Sequence, residues 1–321
     1  MPACEELLGV TPVRAEPGSG DRLKSLRVHL PDSTVIATRR KSPQRAELEA
    51  AVLGILKEAG APVPAVLAFD GTWMIQEDLG TRRVSRLLPK GTEPEQERLL
   101  NIALHSLTRI YAAADSTGLQ QRLYTIGSKP GWLEQLIATP AGLGEDLGVP
   151  APDLPQPEVL ALLSGRSRSF VKWDARPANS CVTAGAEIAW FNWEHCGRRN
   201  RLDDLDWVLC DEAVPDRREM EDRLIAGYLP LFDDGGYGRG ATAYLSAFGT
   251  FHSCIRLSVV LSSWLEKCNS PDAPPLSAGR LADAMVLVRR GARWSARNEG
   301  TAGLEPWFEG VQARLETCET T

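Results

Sequence analysis

The chain has 321 residues, of which 43% are hydrophobic and 24% are charged, a composition typical of a soluble protein with a buried core. Its net charge of −6 gives an overall field that repels nucleic acid and anionic membrane surfaces, so we expect neither as a partner. The seven cysteines include no CxxC pair, the N-terminus lacks the basic and apolar regions of a signal peptide, and no run approaches the roughly 20 apolar residues of a membrane span. We therefore expect a reduced, cytoplasmic protein.

The first 80 residues contain several short strand-like segments. Apolar and polar residues alternate near residues 25–40 and 64–78, and Pro, Gly and Asp turn signals lie between the segments. This pattern predicts hairpins that belong to one antiparallel sheet.

One helix is predicted inside this strand-rich region. Ser42 suits the N-cap, Pro43 suits the first helical position, and apolar residues then recur at helical spacing as far as Gly60, which is expected to end the helix. We expect this helix, from about Ser42 to Ala59, to pack on the sheet.

From Glu93 onward, the periodicity near 3.6 predicts a mainly helical chain. The main interruption covers residues 169–195, which have the pattern of a strand, a loop, a strand, a glycine turn and a strand. Residues 141–159 are rich in Pro and Gly, and we expect them to form a surface loop. The predicted fold class is α+β, with a small antiparallel β lobe that carries one helix and a larger helical lobe.

The interruption holds polar residues at a distinctive spacing. Asp174 and Asn179 lie five residues apart between two apolar runs, and Asn192 and Glu194 follow on the next strand. Phosphoryl transfer of the kinase type needs a carboxylate that receives the hydroxyl proton, a nearby amide oxygen that holds a metal, and a second metal ligand on the next strand. The spacing meets these needs. An Asx turn between two strands is the alternative explanation for Asp174 and Asn179 taken alone.

The segment that carries Asp174 and Asn179 and the segment that carries Asn192 and Glu194 both resemble the aminoglycoside phosphotransferase and choline kinase group of small-molecule kinases, whose fold is protein-kinase-like. The family's catalytic loop, roughly His-Gly-Asp-x-x-x-x-Asn, is similar to residues 172–179. Its metal strand, Asp-Trp/Phe-Glu followed by a Gly and an Asp-Leu, is similar to residues 192–194 with Gly197 and Asp204. The resemblance runs from about residue 10 to 215.

The resemblance implies a bilobal protein with ATP and Mg²⁺ as cofactors and a small-molecule acceptor as substrate. It assigns Asp174 as the catalytic base and Asn179, Asn192 and Glu194 as metal ligands. Residues 1–80 would form the nucleotide-binding lobe, with a hinge at about 76–81. Residues 81–321 would form the helical lobe, which carries the catalytic loop 171–179 and the metal strand 190–194.

Two segments of the small lobe resemble the family's nucleotide-binding parts. The phosphate-covering turn corresponds to Gly18, Ser19 and Gly20. The hinge that contacts adenine corresponds to Gln76, Glu77 and Asp78. The glycines of the turn allow backbone N–H groups to approach phosphate oxygens. An ordinary hairpin turn explains the same glycines equally well.

The cation of the small lobe is assigned by the same resemblance. Aligning residues 36–39 with the kinase Val-Ala-Ile-Lys strand puts Arg39 in the place of the lysine, and Arg40 or Lys41 serves if the register slips. Glu49 then resembles the helix glutamate that orients this cation. The alternative is a solvated Glu49 on the helix surface.

Three departures from the family pattern leave two functions open. Arg39 stands in the place of a lysine, Lys172 replaces a histidine that supports the loop, and Asn192 replaces an aspartate, so a neutral amide faces the metal. One interpretation is an ATP-dependent kinase that acts on a hydroxyl of a small metabolite such as an amino sugar, an aminoglycoside or a choline-like alcohol. The other is a pseudokinase that acts through a protein partner. Neither the acceptor nor the oligomeric state is indicated by the sequence.

Overall fold

The computed structural model describes residues 2–17, 25–164, 168–234, 236–266 and 275–318. The chain divides into two compact units, the first made of Met1–Tyr124 with Phe170–Gly197 and the second of Thr125–Ser169 with Arg198–Thr321. This division follows contacts within the chain and differs from the boundary near residue 80 expected for two lobes. The lobe boundary stays a prediction.

The first unit contains a five-stranded antiparallel sheet with the order β1-β2-β3-β5-β4. Its strands are β1 (Arg14–Pro17), β2 (Ser25–His29), β3 (Thr34–Arg39), β4 (Val66–Phe69) and β5 (Trp73–Glu77). The sheet predicted from the alternating segments is confirmed, as is the α+β fold class.

The two faces of this sheet bury different kinds of residue. Cys4, from helix α1 (Pro2–Leu8), lies in one apolar cluster with Val28, Val35, Ala37 and Ile75. Because side chains alternate along a strand, Ile36 and Thr38 of β3 point to the opposite face. That opposite face lines a cavity.

Helix α2 (Pro43–Glu58) connects β3 to β4, as predicted. The Ser42 hydroxyl accepts a hydrogen bond from the backbone N–H of Arg45, and Pro43 occupies the first turn. Gly60, with a φ of 75°, follows the helix in the left-handed region, where glycine has no steric penalty. The buried face includes Glu49 among apolar residues.

The remainder of the first unit includes two α-helices and the predicted hairpin. Its elements are α3 (Val84–Leu87), α4 (Glu93–Ser116), β7 (Ser180–Val182) and β8 (Ile188–Trp190), while β6 (Ser169–Val171) and β9 (Gly197–Arg199) span the unit boundaries. Strands β7 and β8 pair in antiparallel register, with Cys181 opposite Ala189. The Trp190 indole N–H donates to the Ser106 hydroxyl at 2.6 Å, which ties the hairpin to α4.

The second unit is helical. Its helices are α5 (Trp132–Ile137), α6 (Thr139–Leu147), α7 (Gln156–Leu163), α8 (Arg201–Leu209), α9 (Arg218–Phe232), α10 (Ala241–Leu265), α11 (Ala278–Ser295) and α12 (Leu304–Thr317). The surface loop expected over residues 141–159 is wrong over much of its length, because α6 and α7 cover both ends. Leu143 and Leu147 are buried, and this burial stabilises a helix that Gly and Pro disfavour.

Glycines allow the long helices of this unit to approach closely. A Cβ atom at Gly249 of α10 would overlap the Trp294 ring of α11, and one at Gly291 would overlap the Phe308 ring of α12. Among the described helices, α10 alone is long and apolar enough to cross a membrane, and 72% of its apolar window is buried inside the protein. It therefore serves as a core helix of this unit.

Several charged side chains are buried in the second unit, and two groups of them pair opposite charges. The Glu221 carboxylate faces Arg290, Arg293 and Arg297 at 3.1 to 3.3 Å. Asp203 accepts from the Arg199 guanidinium at 2.5 Å and also pairs with the Tyr244 hydroxyl. These pairs satisfy the condition under which buried charge is tolerated.

Candidate active site

A cavity of about 320 Å³ lies within the first unit. It is lined by residues of β2, β3, β5 and β7, by the segment that follows β5, and by Phe191, Asn192 and Glu194. Its volume falls within the range of about 300–1,000 Å³ that is usual for small-molecule sites. The residues that the sequence assigned to catalysis and to metal binding lie in or beside this cavity.

The loop over residues 171–179, predicted to be catalytic, has a strained backbone. Trp173 and Asp174 have φ values of 51° and 58°, a left-handed conformation that is rare for a bulky residue such as tryptophan. Such conformations cost roughly 1–3 kcal/mol each and persist where surrounding contacts determine them. Here the Asp174 carbonyl oxygen accepts from Lys172 Nζ at 3.3 Å and from Asn179 Nδ2 at 2.9 Å.

Lys172 therefore supports the loop in the place of the family's histidine. Its side chain is fully buried, and Nζ also donates to the Asn192 carbonyl oxygen at 3.2 Å. The ammonium group lies 5.2 Å from the Trp193 ring centroid and 5.8 Å from that of Trp190. One side chain thus joins the backbones of Asp174 and Asn192.

Three polar side chains follow one another from the loop to the next strand. Asn179 Nδ2 donates to the Asp174 carboxylate at 2.8 Å, and Asn192 Nδ2 lies 3.3 Å from Asn179 Oδ1. Asn192 itself has a φ of 65°. Asp174, Asn179 and Asn192, which the sequence predicted as base and metal ligands, are brought together.

An ion-pair network lies next to these residues. Arg40 binds the Glu49 carboxylate through two nitrogens, at 2.6 and 2.7 Å, and Glu194 through a third at 2.9 Å. Glu49 is fully buried and also accepts the backbone N–H of Trp193 at 2.8 Å. Burial opposes the charge of Arg40, but the attraction of the two carboxylates outweighs it and raises the pKa of Arg40.

The expected partner of Glu49 was Arg39, and this pairing is wrong. Arg39 lies on the β3 face that carries Val35 and Ala37, and its side chain is exposed. The cavity face carries Ile36, Thr38 and Arg40. The alternation of side chains along β3 places Arg40 on the same face as Ile36 and Thr38. Both faces of this strand carry apolar residues, so the sequence did not show which face points to the cavity.

The hinge residues have different roles. Gln76 is buried and lines the cavity, and Asp78 accepts both Arg27 Nη2 at 2.8 Å and the Gly80 backbone N–H at 2.9 Å. Glu77 lies at the cavity edge and pairs with Lys57 at 2.9 Å. Gly18, Ser19 and Gly20 lie outside the described residues.

Two cavity arginines, Arg27 and Arg83, were not identified from the sequence. Arg27 Nη2 also donates to the Gly80 carbonyl oxygen at 2.9 Å, so both backbone groups of Gly80 are bonded to side chains. Arg83 donates to the Ala178 carbonyl oxygen at 3.0 Å. Neither position belongs to a motif, so only their place in the fold brings them to the cavity.

The oxygen atoms near Asn192 are suitable ligands for a Mg²⁺ ion that is bound together with phosphate groups. Magnesium usually takes one or two protein carboxylates together with phosphate oxygens and water. Asn179 and Asn192 offer amide oxygens, and Glu194 and Asp174 offer carboxylates. Among the described residues, no group of three or more His, Cys, Asp or Glu side chains forms a metal site.

Comparison with known proteins gives matches in structure. No family model and no curated protein matches the sequence. A Ralstonia eutropha protein assigned as an aminoglycoside phosphotransferase superposes with a TM-score of 0.58 at 13% identity, covering 96% of this chain and 97% of that chain. The chain has the fold of a small-molecule kinase.

Two further structures of this fold agree. A spectinomycin phosphotransferase in complex with ADP and spectinomycin gives a TM-score of 0.54 at 10% identity, covering 90% of this chain and 92% of that one. The choline kinase LicA of Streptococcus pneumoniae gives 0.50 at 11% identity, covering 91% and 97%. The kinase-like fold implied by the catalytic-loop and metal-strand motifs is thereby confirmed.

Proposed function

We propose that the protein is a divergent aminoglycoside phosphotransferase or choline kinase-like enzyme that transfers the γ-phosphoryl group of ATP to a hydroxyl of a small metabolite. An amino sugar, an aminoglycoside or a choline-like alcohol is the class of acceptor that the fold favours. One observation carries the proposal. Asp174 and Asn179 are bonded to each other beside Asn192, on a strained loop at the edge of a cavity.

In this mechanism the acceptor hydroxyl oxygen forms a bond to the γ-phosphorus. The bond between that phosphorus and the β–γ bridging oxygen breaks, and the electron pair leaves with ADP. The hydroxyl proton passes to the Asp174 carboxylate and then to solvent. The Asn179 amide orients that carboxylate through its 2.8 Å hydrogen bond.

The neighbouring residues hold this geometry. Lys172 fixes the backbones of Asp174 and Asn192, and Arg40 fixes Glu194 against Glu49. Asn179, Asn192 and Glu194 would hold Mg²⁺, which neutralises charge on the phosphates when it is bound. With asparagine at position 192, we expect slower turnover than an aspartate would support.

The Asp174→Asn variant tests this function. Asparagine tolerates the left-handed backbone and keeps an oxygen that accepts from Asn179, so we expect an unchanged melting temperature. Loss of the base should lower Mg²⁺-dependent ATP turnover by about 10²–10⁴-fold, with water serving as acceptor if no natural acceptor is known. ATP should still raise the melting temperature of the variant, because binding stabilises the folded state.

The Asp32→Asn variant is the matched control, because Asp32 is exposed and outside the cavity. Its turnover should equal that of the wild type. Undiminished hydrolysis in Asp174→Asn would show that Asp174 is not the base. A wild type that binds ATP without turning over any acceptor or water would instead support the pseudokinase alternative, which the neutral Asn192 favours.

A further inference from the structure

Among the described residues, three arginines line the cavity of the first unit, and two of them are paired with carboxylates. Arg27 Nε lies 2.7 Å from the Asp78 carboxylate, and Arg40 lies 2.6 Å from Glu49 and 2.9 Å from Glu194. Arg40 is thus held between two negative charges. Each of its three guanidinium nitrogens donates to a carboxylate oxygen.

The third arginine, Arg83, differs from these two. Its Nη1 donates to the Ala178 carbonyl oxygen at 3.0 Å, and its guanidinium carbon lies 4.9 Å from the centroid of the Phe191 ring. Within the described ranges, no carboxylate lies within ion-pair distance of it. A guanidinium has five N–H donors, and one hydrogen bond from Arg83 is seen here.

The surroundings of Arg83 make this charge costly. Burial lowers the pKa of Arg83, and the positive charges of Arg86 and Arg27 lower it further, although Cys181 acts in the opposite direction. Cys181 opposes the shift only as a thiolate. Burial raises the pKa of Cys181, so at neutral pH it is an uncharged thiol. A partly buried cation without a counter-ion is expensive unless a ligand supplies one.

The neighbours of Arg83 indicate which anion it binds. Ala178 and Phe191, its two contacts, directly precede Asn179 and Asn192 in the chain. Those asparagines are the metal ligands of the proposed function, at the position where a phosphate chain would be held. Arginine suits phosphate because its planar fork matches two phosphate oxygens.

We infer that Arg83 binds the polyphosphate group of the ligand in this cavity. It acts beside Arg40, which Glu49 orients as the helix glutamate of the resembled family orients its cation. The inference rests on the proposed function for the identity of the nucleotide. Inorganic tripolyphosphate contains the same polyphosphate group without a nucleoside, so it can test this contact independently.

Binding of ATP, ADP, AMP and adenosine to Arg83→Gln, measured by calorimetry in the presence of Mg²⁺, tests the inference. A hydrogen-bonded charge lost from a phosphate site lowers affinity by about 10- to 100-fold. We expect that loss for ATP and ADP, a smaller loss for AMP and none for adenosine. Arg86→Gln, an exposed neighbour with the same change in net charge, should bind all four like the wild type.

Tripolyphosphate separates this inference from the proposed function. If the wild type binds tripolyphosphate and Arg83→Gln does not, then Arg83 binds the polyphosphate group, even if ATP is never turned over. Equal losses of ATP and adenosine affinity in Arg83→Gln would overturn the inference, because they would indicate a distorted cavity. Unchanged ATP and tripolyphosphate affinity, or a wild type that binds neither, would overturn it as well. Arg83→Lys should recover part of the lost affinity, because the charge returns without the fork.

Discussion

Glu221 in the second unit faces three arginines, whereas Arg83 in the first unit faces no carboxylate among the described residues. Both regions bury charge, so burial alone does not separate a structural cluster from a binding site. The balance of charge does separate them. In the second unit every charge described above has a partner of opposite sign, while the cavity of the first unit keeps a cation that a ligand can neutralise.

The two regions also differ in backbone strain. Trp173, Asp174 and Asn192 all have positive φ values, and all three belong to the first unit beside the cavity. The second unit, within its described ranges, has positive φ only at glycines. Strain and unbalanced charge therefore occur together, which is the pattern expected where structure is held for binding or chemistry rather than for stability.

The largest expected effect is a loss of stability in the second unit, where the buried charges are paired. Glu221→Gln keeps the shape of the side chain but removes the negative charge, which leaves the fully buried Arg290 without its ion pair. We expect the free energy of unfolding to fall by about 3–5 kcal/mol. Chemical denaturation measures it, and ATP affinity should not change.

Glu219→Gln on the same helix provides the control, because Glu219 is exposed. Its stability should stay within about 0.5 kcal/mol of the wild type. A Glu221→Gln protein as stable as this control would show that the buried charges of the second unit do not stabilise the fold.

A smaller effect is expected from pH at Asp203. Burial raises the pKa of Asp203 to about 6, against the opposing influence of Arg199 and Tyr244. Because the unfolded chain has the lower pKa of 3.8, the folded state holds a proton between these pH values that the unfolded state has lost. The free energy of unfolding should therefore fall as pH rises from 3.8 to 6, by about 3 kcal/mol in total, and level off above.

Asp203→Asn, which stays neutral at every pH, isolates this contribution. Denaturation of both proteins between pH 4 and 7 should show the wild type losing stability relative to the variant as pH rises toward 6. A difference that stays constant, or that changes in favour of the wild type, would mean that the Arg199 pair outweighs burial.

The smallest effect concerns Asn192, the proposed metal ligand of the first unit. Asn192→Asp adds a negative charge where Mg²⁺ is expected, so ATP affinity in the presence of Mg²⁺ should increase by about tenfold. Calorimetry with Mg²⁺, and again with EDTA, measures the change, and the EDTA series should show no gain. Equal affinities of the wild type and the variant in Mg²⁺ would indicate that this side chain does not face the metal.

The sequence predicts the parts of the molecule that depend on local pattern. Alternation identified the sheet, and Ser42, Pro43 and Gly60 identified both ends of α2, because caps and turns depend on nearby residues. The Asp174 and Asn179 spacing identified the loop that carries them, although not its backbone strain. These features need no knowledge of distant contacts.

Other features depend on contacts that the sequence does not show. The helical ends of residues 141–159 are stabilised by burial of Leu143 and Leu147, against their Gly and Pro content. Arg40 rather than Arg39 faces the cavity because of the register of β3, which two apolar parities left undecided. Arg83 reaches the cavity only through the fold, so no spacing in the sequence could have indicated it.

The positive φ of Asn192 has a consequence for the history of this chain. Asparagine and aspartate are the two residues, apart from glycine, that most readily adopt this backbone conformation, and their codons differ by one base. An aspartate at this position would thus be introduced by one mutation, with no intermediate that strains the loop. The Lys172 contact to the Asn192 carbonyl would persist, because it involves the main chain. The chain therefore keeps a short mutational route to a more negative charge at the proposed metal site.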